Sequence, residues 1–198
     1  MNNALVKHSG KITQEMRENF LNQKGCAIWL TGLSGAGKST IAYELEKELY
    51  DKNILSYVLD GDNIRHGLNK DLGFSTDDRK ENIRRIAEVS SLFIDAGILT
   101  IVSFISPFIR DRETAKEIIS KDRFIEVYIK ASLEICEQRD PKGMYRKVRS
   151  GLIANFTGIS SPYEPPVNPD MAIDTEILSV SQSVHIILDY LTERGIIS

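Results

Sequence analysis

The segment Gly32-Leu33-Ser34-Gly35-Ala36-Gly37-Lys38-Ser39 constrains this chain more than any other. It fits the pattern G-x-x-x-x-G-K-[ST] and directly follows the apolar run Ala27-Ile28-Trp29-Leu30-Thr31. Behind it, Ile41, Leu45 and Leu49 fall on one helical face. Strand, glycine-rich turn and helix in that order make a phosphate cradle. The three glycines remove the side chains that would keep backbone N–H groups from phosphate oxygens. Lys38 brings a positive charge to the β- and γ-phosphates, the Ser39 hydroxyl is a ligand for Mg²⁺, and the helix N-terminus adds its dipole. Such a loop binds a nucleoside triphosphate and requires an α/β architecture around it.

The remaining sequence supplies that architecture. Short apolar runs at Ser56–Asp60, Leu99–Phe104, Phe124–Ile129 and, more briefly, Met171–Asp174 read as further strands. Helical spacing recurs over 39–51, 77–95 and 179–194, with a short helix at 13–22. The pattern predicts a three-layer α/β fold: a mainly parallel sheet of about five strands wrapped by helices. A single domain over 25–198 follows an N-terminal extension, 1–24. Residues 139–160 break the pattern: Arg139, Lys142, Arg146, Lys147 and Arg149 precede Gly151 and Gly158, with no long apolar face. A polar insertion of this kind in a compact domain reads as a mobile lid that orders over ligand.

Composition excludes several alternatives. Two cysteines, Cys26 and Cys136, and three scattered histidines make neither a disulfide scaffold nor a four-cysteine zinc site. A net charge of -3 argues against a general nucleic-acid binder. The most apolar stretch, Ile98 to Ile105, is too short to span a bilayer. The first 25 residues lack the apolar core of a secretory signal. No membrane association is expected, and the cytoplasm is the expected compartment.

A triphosphate site does not by itself define a reaction. Asn69-Lys70-Asp71-Leu72 fails the guanine-reading pattern N-K-x-D, and Asp140-Pro141-Lys142-Gly143 follows the fourth strand, the wrong place for a GTPase switch. The chain is too short for a large motor ATPase, which leaves a small-molecule kinase in need of an acceptor site and a base. Leu59-Asp60-Gly61-Asp62-Asn63-Ile64-Arg65 stands at the carboxyl end of the second strand, the edge where open α/β sheets bind ligands. One carboxylate can accept a hydroxyl proton and the other can help fix the Mg²⁺ shell, with Gly61 allowing the turn. The bland alternative is a polar turn with Asn63 capping a helix. Arg65 and Arg79 are candidates to clamp an anionic acceptor, since guanidinium forks suit phosphate and sulfate oxygens.

Six segments taken together resemble the adenylylsulfate kinase family. They are Gly32–Thr40, Leu59–Leu68, Phe74–Arg85, Ser103–Phe108, Arg139–Gly143 and Asn155–Ile159, in family order from about Ile12 to Thr175. The resemblance implies a P-loop kinase fold and transfer of the ATP γ-phosphoryl group to the 3′-hydroxyl of adenosine 5′-phosphosulfate, giving 3′-phosphoadenosine 5′-phosphosulfate in sulfate assimilation. It further implies Mg²⁺ and a homodimer. By position it assigns Gly32, Ser34, Gly35, Ala36, Gly37, Lys38, Ser39, Thr40 and Arg139 to ATP, with Ser39 on the metal. Asp62 becomes the base, and it and Asp60 both join the acceptor-binding residues. Arg65, Arg79 and Asn82 contact the phosphosulfate end of the acceptor, and Phe74 and Phe156 sandwich its adenine. Ile105, Ser106, Pro107 and Lys142 line the same pocket.

Ser106 also raises the possibility of a phosphoserine intermediate. Direct transfer is favoured, because no His or Lys lies near it in sequence and Asp62 already supplies a base. The chain departs from the family at Ile109, where Arg is usual, and at Lys116, again in place of Arg. Two rival readings are a P-loop kinase for another small hydroxyl substrate and an ATP-binding module that has lost catalysis. The paired Phe residues and arginines disfavour the first; Lys38, Ser39 and Asp62 together disfavour the second.

Overall fold

Every residue of Ala27–Thr31, strand β1, is buried, as a strand paired on both edges and covered on both faces must be. The computed structural model describes Val6, His8 and residues 10–198; the rest of the expected extension lies outside the described residues. Strand β2 (Ser56–Asp60), β3 (Leu99–Ser103), β4 (Phe124–Lys130) and β5 (Met171–Asp174) join β1 in the order β2-β3-β1-β4-β5. All four pairings are parallel. The sheet is therefore wholly parallel, beyond the mainly parallel sheet expected.

The helices in chain order are α1 (Gln14–Leu21), α2 (Lys38–Asp51), α3 (Gly61–Arg65), α4 (Thr76–Asp95), α5 (Ile109–Ile119), α6 (Leu133–Arg139), α7 (Met144–Arg149) and α8 (Val180–Glu193). Alternation along β1 sends Ile28 and Leu30 to one core with Ile41, Leu45 and Leu49 of α2 and Val184, Ile187 and Leu191 of α8. Ala27 and Trp29 face the other, with Ile83, Ile86 and Ile94 of α4 and Ala115 and Ile119 of α5. Three layers result. Trp29 stacks on Phe124 at 5.3 Å and fixes β1 against β4 on the α4–α5 side.

Capping residues set the helix starts. Ser75 accepts from Asp78 N to open α4, and Ser179 with Gln182 forms a reciprocal capping box on α8. Helix α1 buries none of its side chains; Arg17 pairs with Asp95 at 2.8 Å and Glu18 with Arg123 at 2.8 Å, holding it to the sheet's amino edge. Among the described residues no helix is long and apolar enough to cross a membrane.

Candidate active site

β1 lies where the connections of the sheet reverse, to β3 on one side and β4 on the other, so its carboxyl end opens the crevice in which doubly wound sheets hold ligands. The phosphate loop occupies that place. Gly35 stands at φ 80°, and a Cβ there would lie 2.8 Å from the Cys136 carbonyl of α6, so only glycine lets the loop pass. Gly37 at φ 104° caps α2 and turns the chain into it. Lys38 is 8% exposed and folds back over the loop, donating to the carbonyls of Gly32 at 2.9 Å and Leu33 at 2.7 Å. Burial pulls its pKa down to about 8, with the nearby Lys142 charge a smaller contribution in the same direction.

Beside the loop, Ser39 Oγ donates to Asp60 Oδ2 at 2.7 Å and lies 3.3 Å from Ser103 Oγ at the end of β3. Asp60 is 6% exposed, and its other oxygen accepts from the backbone N–H groups of Asp62 at 3.0 Å and Asn63 at 3.5 Å. Asp60, not Asn63, therefore caps α3, and Gly61 is simply the first residue of that helix. Asp62 is exposed and forms an ion pair with Lys142, whose pKa rises on account of that hydrogen bond. Among the described residues no three His, Cys, Asp or Glu side chains gather as a metal cage. The Ser39–Asp60–Ser103 group offers hard oxygen donors only, the chemistry of Mg²⁺ held by few protein ligands, water and substrate phosphates.

The opposite side of the crevice carries cations and aromatic rings. Arg65 donates to the carbonyls of Leu72 at 3.1 Å and Gly73 at 2.9 Å, with its guanidinium 4.4 Å above the Phe74 ring. Arg79 donates through Nε to the Phe74 carbonyl at 3.0 Å and through its other nitrogens to Thr157 Oγ1 and the Asn155 carbonyl. It lines the cavity and also ties the start of α4 to the segment behind α7. Asn82 is 5% exposed and accepts from Asn69 Nδ2 at 2.8 Å. Phe74 stands open at 65% exposure, whereas Phe156 is 8% exposed and meets Tyr145 edge-on at 5.1 Å. The two rings are thus unequal: one is a flap, the other part of the core wall.

Ser106 is buried, left-handed at φ 39°, and accepts from Trp29 Nε1 at 3.1 Å while donating to the Phe104 carbonyl at 3.4 Å. Arg112 of α5, 3% exposed, holds the Ser106 carbonyl at 2.7 Å, pairs with Glu126 at 2.7 Å and reaches the Glu164 carbonyl at 2.9 Å.

One cavity of about 950 Å³ joins both sides. It is lined by every sequence-predicted site residue except Gly32 and Ala36. Gly32 presents its carbonyl to Lys38, and Ala36 has its methyl group in the core. Neither Ile109 nor Lys116 reaches the cavity. Ile109 opens α5, its N–H bonded to Glu164 Oε2 at 2.8 Å, and Lys116 lies 5.8 Å from the Phe124 ring.

Sequence reasoning missed Ser103 and the patch Thr175, Leu178, Val180 and Ser183, all of which line the cavity. Arg139 donates to Thr175 Oγ1 at 3.0 Å and to its carbonyl at 2.7 Å, giving the phosphate-loop side an apolar shelf with a guanidinium edge. Thr175 directly follows the end of β5, so the strand-end rule that found Asp60 would have found it too. The segment expected to be a lid is also better anchored than its composition suggests. Tyr145 and Val148 of α7 and Phe156 enter the main core, and Tyr145 Oη donates to the Ser34 carbonyl at 2.9 Å.

A phosphate loop facing an acidic strand end across one ligand-sized cavity, on a parallel sheet of this order, defines a P-loop kinase. The chain belongs to the adenylylsulphate kinase family, whose model matches residues 24–174. It is similar to the adenylyl-sulfate kinase of Clostridium acetobutylicum, 53% identical over 98% of this chain and 96% of that protein. A probable adenylyl-sulfate kinase of Halalkalibacterium halodurans is 56% identical over 94% of this chain and 93% of its own length. Among solved structures, the Mycobacterium tuberculosis APS kinase in complex with AMPPNP and APS superposes with a TM-score of 0.82 at 46% identity, covering 86% of this chain and 99% of that one.

Proposed function

We propose that the chain transfers the γ-phosphoryl group of ATP directly to the 3′-hydroxyl of adenosine 5′-phosphosulfate, with Asp62 taking the hydroxyl proton. The observation that carries this reading is the single cavity lined by Lys38 and Ser39 on one side and by Asp62, Arg65, Phe74 and Asn82 on the other. ATP lies with its phosphates on the loop and its base on the shelf of Leu178 and Val180, beside Arg139. The acceptor places its adenine between Phe74 and the Phe156 wall and its anionic end toward Arg65, Arg79 and Asn82. The bond from the 3′-oxygen to the γ-phosphorus forms as the bond to the β–γ bridging oxygen breaks, and ADP leaves.

Asp62 is suited to the base role because it is exposed at the cavity while Asp60 is committed to Ser39 and the α3 cap. Lys142 must give up its pairing with Asp62 when the hydroxyl arrives, which couples acceptor binding to the lid. Lys38 swings from the loop carbonyls to the transferring phosphate, where preorganised charge lowers the barrier. Ser39 and Asp60 would hold Mg²⁺, which would supply positive charge to the substrate phosphates. Ser106 serves as wall and not as nucleophile: its hydroxyl is held by Trp29 and Phe104, and no base among the described residues is bonded to it.

The reading includes a homodimer, a cytoplasmic location, no nucleic-acid partner, and a division into residues 1–24 and a kinase domain over 25–198 with its lid at about 139–160. The test is ADP release with and without adenosine 5′-phosphosulfate, together with 3′-phosphoadenosine 5′-phosphosulfate measured by mass spectrometry. ATP consumption that ignores the acceptor would remove the proposal.

A further inference from the structure

We propose that Asn69 is a positioning residue that fixes the orientation of the Asn82 amide, so that a hydrogen-bond donor and not an acceptor faces the anionic end of the acceptor substrate. The inference rests on the assignment of the acceptor half of the cavity given above.

Asn69 lies outside the cavity, in the loop between α3 and α4, and is fully buried. Its backbone is locked: its N–H donates to the Ile64 carbonyl at 3.1 Å, and its carbonyl accepts from Leu72 N at 3.1 Å. The side chain is therefore delivered to one place. There Nδ2 donates to Asn82 Oδ1 at 2.8 Å. Asn82 lines the cavity, and its Nδ2 takes no partner among the described residues. An amide has one donor end and one acceptor end, so engaging the oxygen from behind turns the nitrogen toward the ligand.

Charge makes that choice matter. Arg65 and Arg79 line the same half of the cavity, which suits phosphate and sulfate oxygens. An amide N–H adds a further donor to that set, whereas the amide oxygen would meet an anion with its negative end. Fold stability does not account for Asn69. Its own Oδ1 is buried without a partner, a cost that an apolar side chain of similar size would not carry. The residue is explained by what its NH₂ group does to Asn82.

The experiment is a double-mutant cycle on the full chain: Asn69→Leu and Asn69→Ala, each alone and combined with Asn82→Ala. Affinity for adenosine 5′-phosphosulfate is measured by calorimetry in the presence of a non-hydrolysable ATP analogue, alongside the affinity for that analogue alone. In the single variants the acceptor Kd rises on the order of 10-fold, the loss of one charge-assisted hydrogen bond. Affinity for the ATP analogue holds, and KM for the acceptor moves more than kcat. With Asn82 already Ala, the Asn69 substitutions add less than about twofold, because the two residues act as one unit.

Full additivity, or wild-type acceptor affinity in either single variant, overturns the proposal. So does loss of ATP-analogue binding in both Leu and Ala variants, which would make Asn69 a residue of folding alone. A wild-type protein that binds no adenosine 5′-phosphosulfate would instead bring down the assignment of the site itself.

Discussion

Replacing Arg112 by Ala should destabilise the protein by about 2–4 kcal/mol and loosen the acceptor half of the site. The side chain is 3% exposed, and all three guanidinium nitrogens are engaged, with Glu126 and with the carbonyls of Ser106 and Glu164. Truncation leaves Glu126, whose side chain is 14% exposed, charged and without its partner. An uncompensated buried charge costs about 3–5 kcal/mol. About 1 kcal/mol is recovered, because Ser106 at φ 39° is then free to relax part of its left-handed strain. The two effects do not cancel. For a chain of this size each kcal/mol moves Tm by about 2–4 °C, so the expected fall is roughly 5–15 °C. Ile105, Ser106 and Pro107 line the acceptor side, so KM for adenosine 5′-phosphosulfate should rise while KM for ATP stays. Calorimetry with steady-state kinetics reads both. The double variant Arg112→Met with Glu126→Leu should regain most of the stability, as buried ion pairs replaced by apolar groups generally do. A Tm within about 2 °C of wild type in Arg112→Ala, with unchanged acceptor KM, would refute the reasoning.

Lys38→Ala should lower kcat by about 10²–10³-fold, the worth of one preorganised donor on a transferring phosphate, with the circular dichroism of the wild type retained. In the wild-type protein, the pKa of about 8 set by burial means that the empty site loses its proton above that pH. Binding of the triphosphate must then take a proton up, so ATP affinity should fall up to tenfold per pH unit above about 8, and flat titration calorimetry there would exclude it. The sign is opposite for stability: between about 8 and 10.5 the unfolded chain binds more protons, so the empty fold gains stability as pH rises through that window. Asp62→Ala should lose about 10²–10⁴-fold in turnover while Ser106→Ala keeps most of it, read in parallel assays at saturating substrates. Hydrogen exchange across 139–160 should slow when ATP analogue and acceptor are both present, beginning at Lys142 and least around the anchored Tyr145; equal protection with and without ligands would reject the lid.

The sheet and the two main cores were legible because burial on both faces writes strands as apolar runs. β1, β2 and β5 have the expected bounds, and the long helices start within a residue or two of expectation. Helix α5 was not read, since its buried face includes Asp111 and Arg112. Arg112 is tolerable inside only because Glu126 and Glu164, distant in sequence, come to meet it. Helix α7 has six residues, too few for Tyr145 and Val148 to display a period. In the site, the phosphate loop and the Asp60–Asp62 pair were legible as local strings at strand ends. Ser103 was not, because its neighbour Ser39 is set by the register of β3 against β1 and β2 and not by spacing. Arg79 was legible as a cavity residue but not as a tie to Asn155 and Thr157, a contact made across the fold.

The most direct measurement of the central claim is the stereochemical course at phosphorus. ATP made chiral at the γ-phosphoryl group with oxygen isotopes is turned over with adenosine 5′-phosphosulfate, and the configuration at the 3′-phosphate of the product is determined. A single in-line displacement by the 3′-hydroxyl, with Asp62 receiving its proton, predicts inversion. Retention would require two successive transfers through an enzyme nucleophile and would contradict the account, directing attention to Ser106 despite its bonds to Trp29 and Phe104.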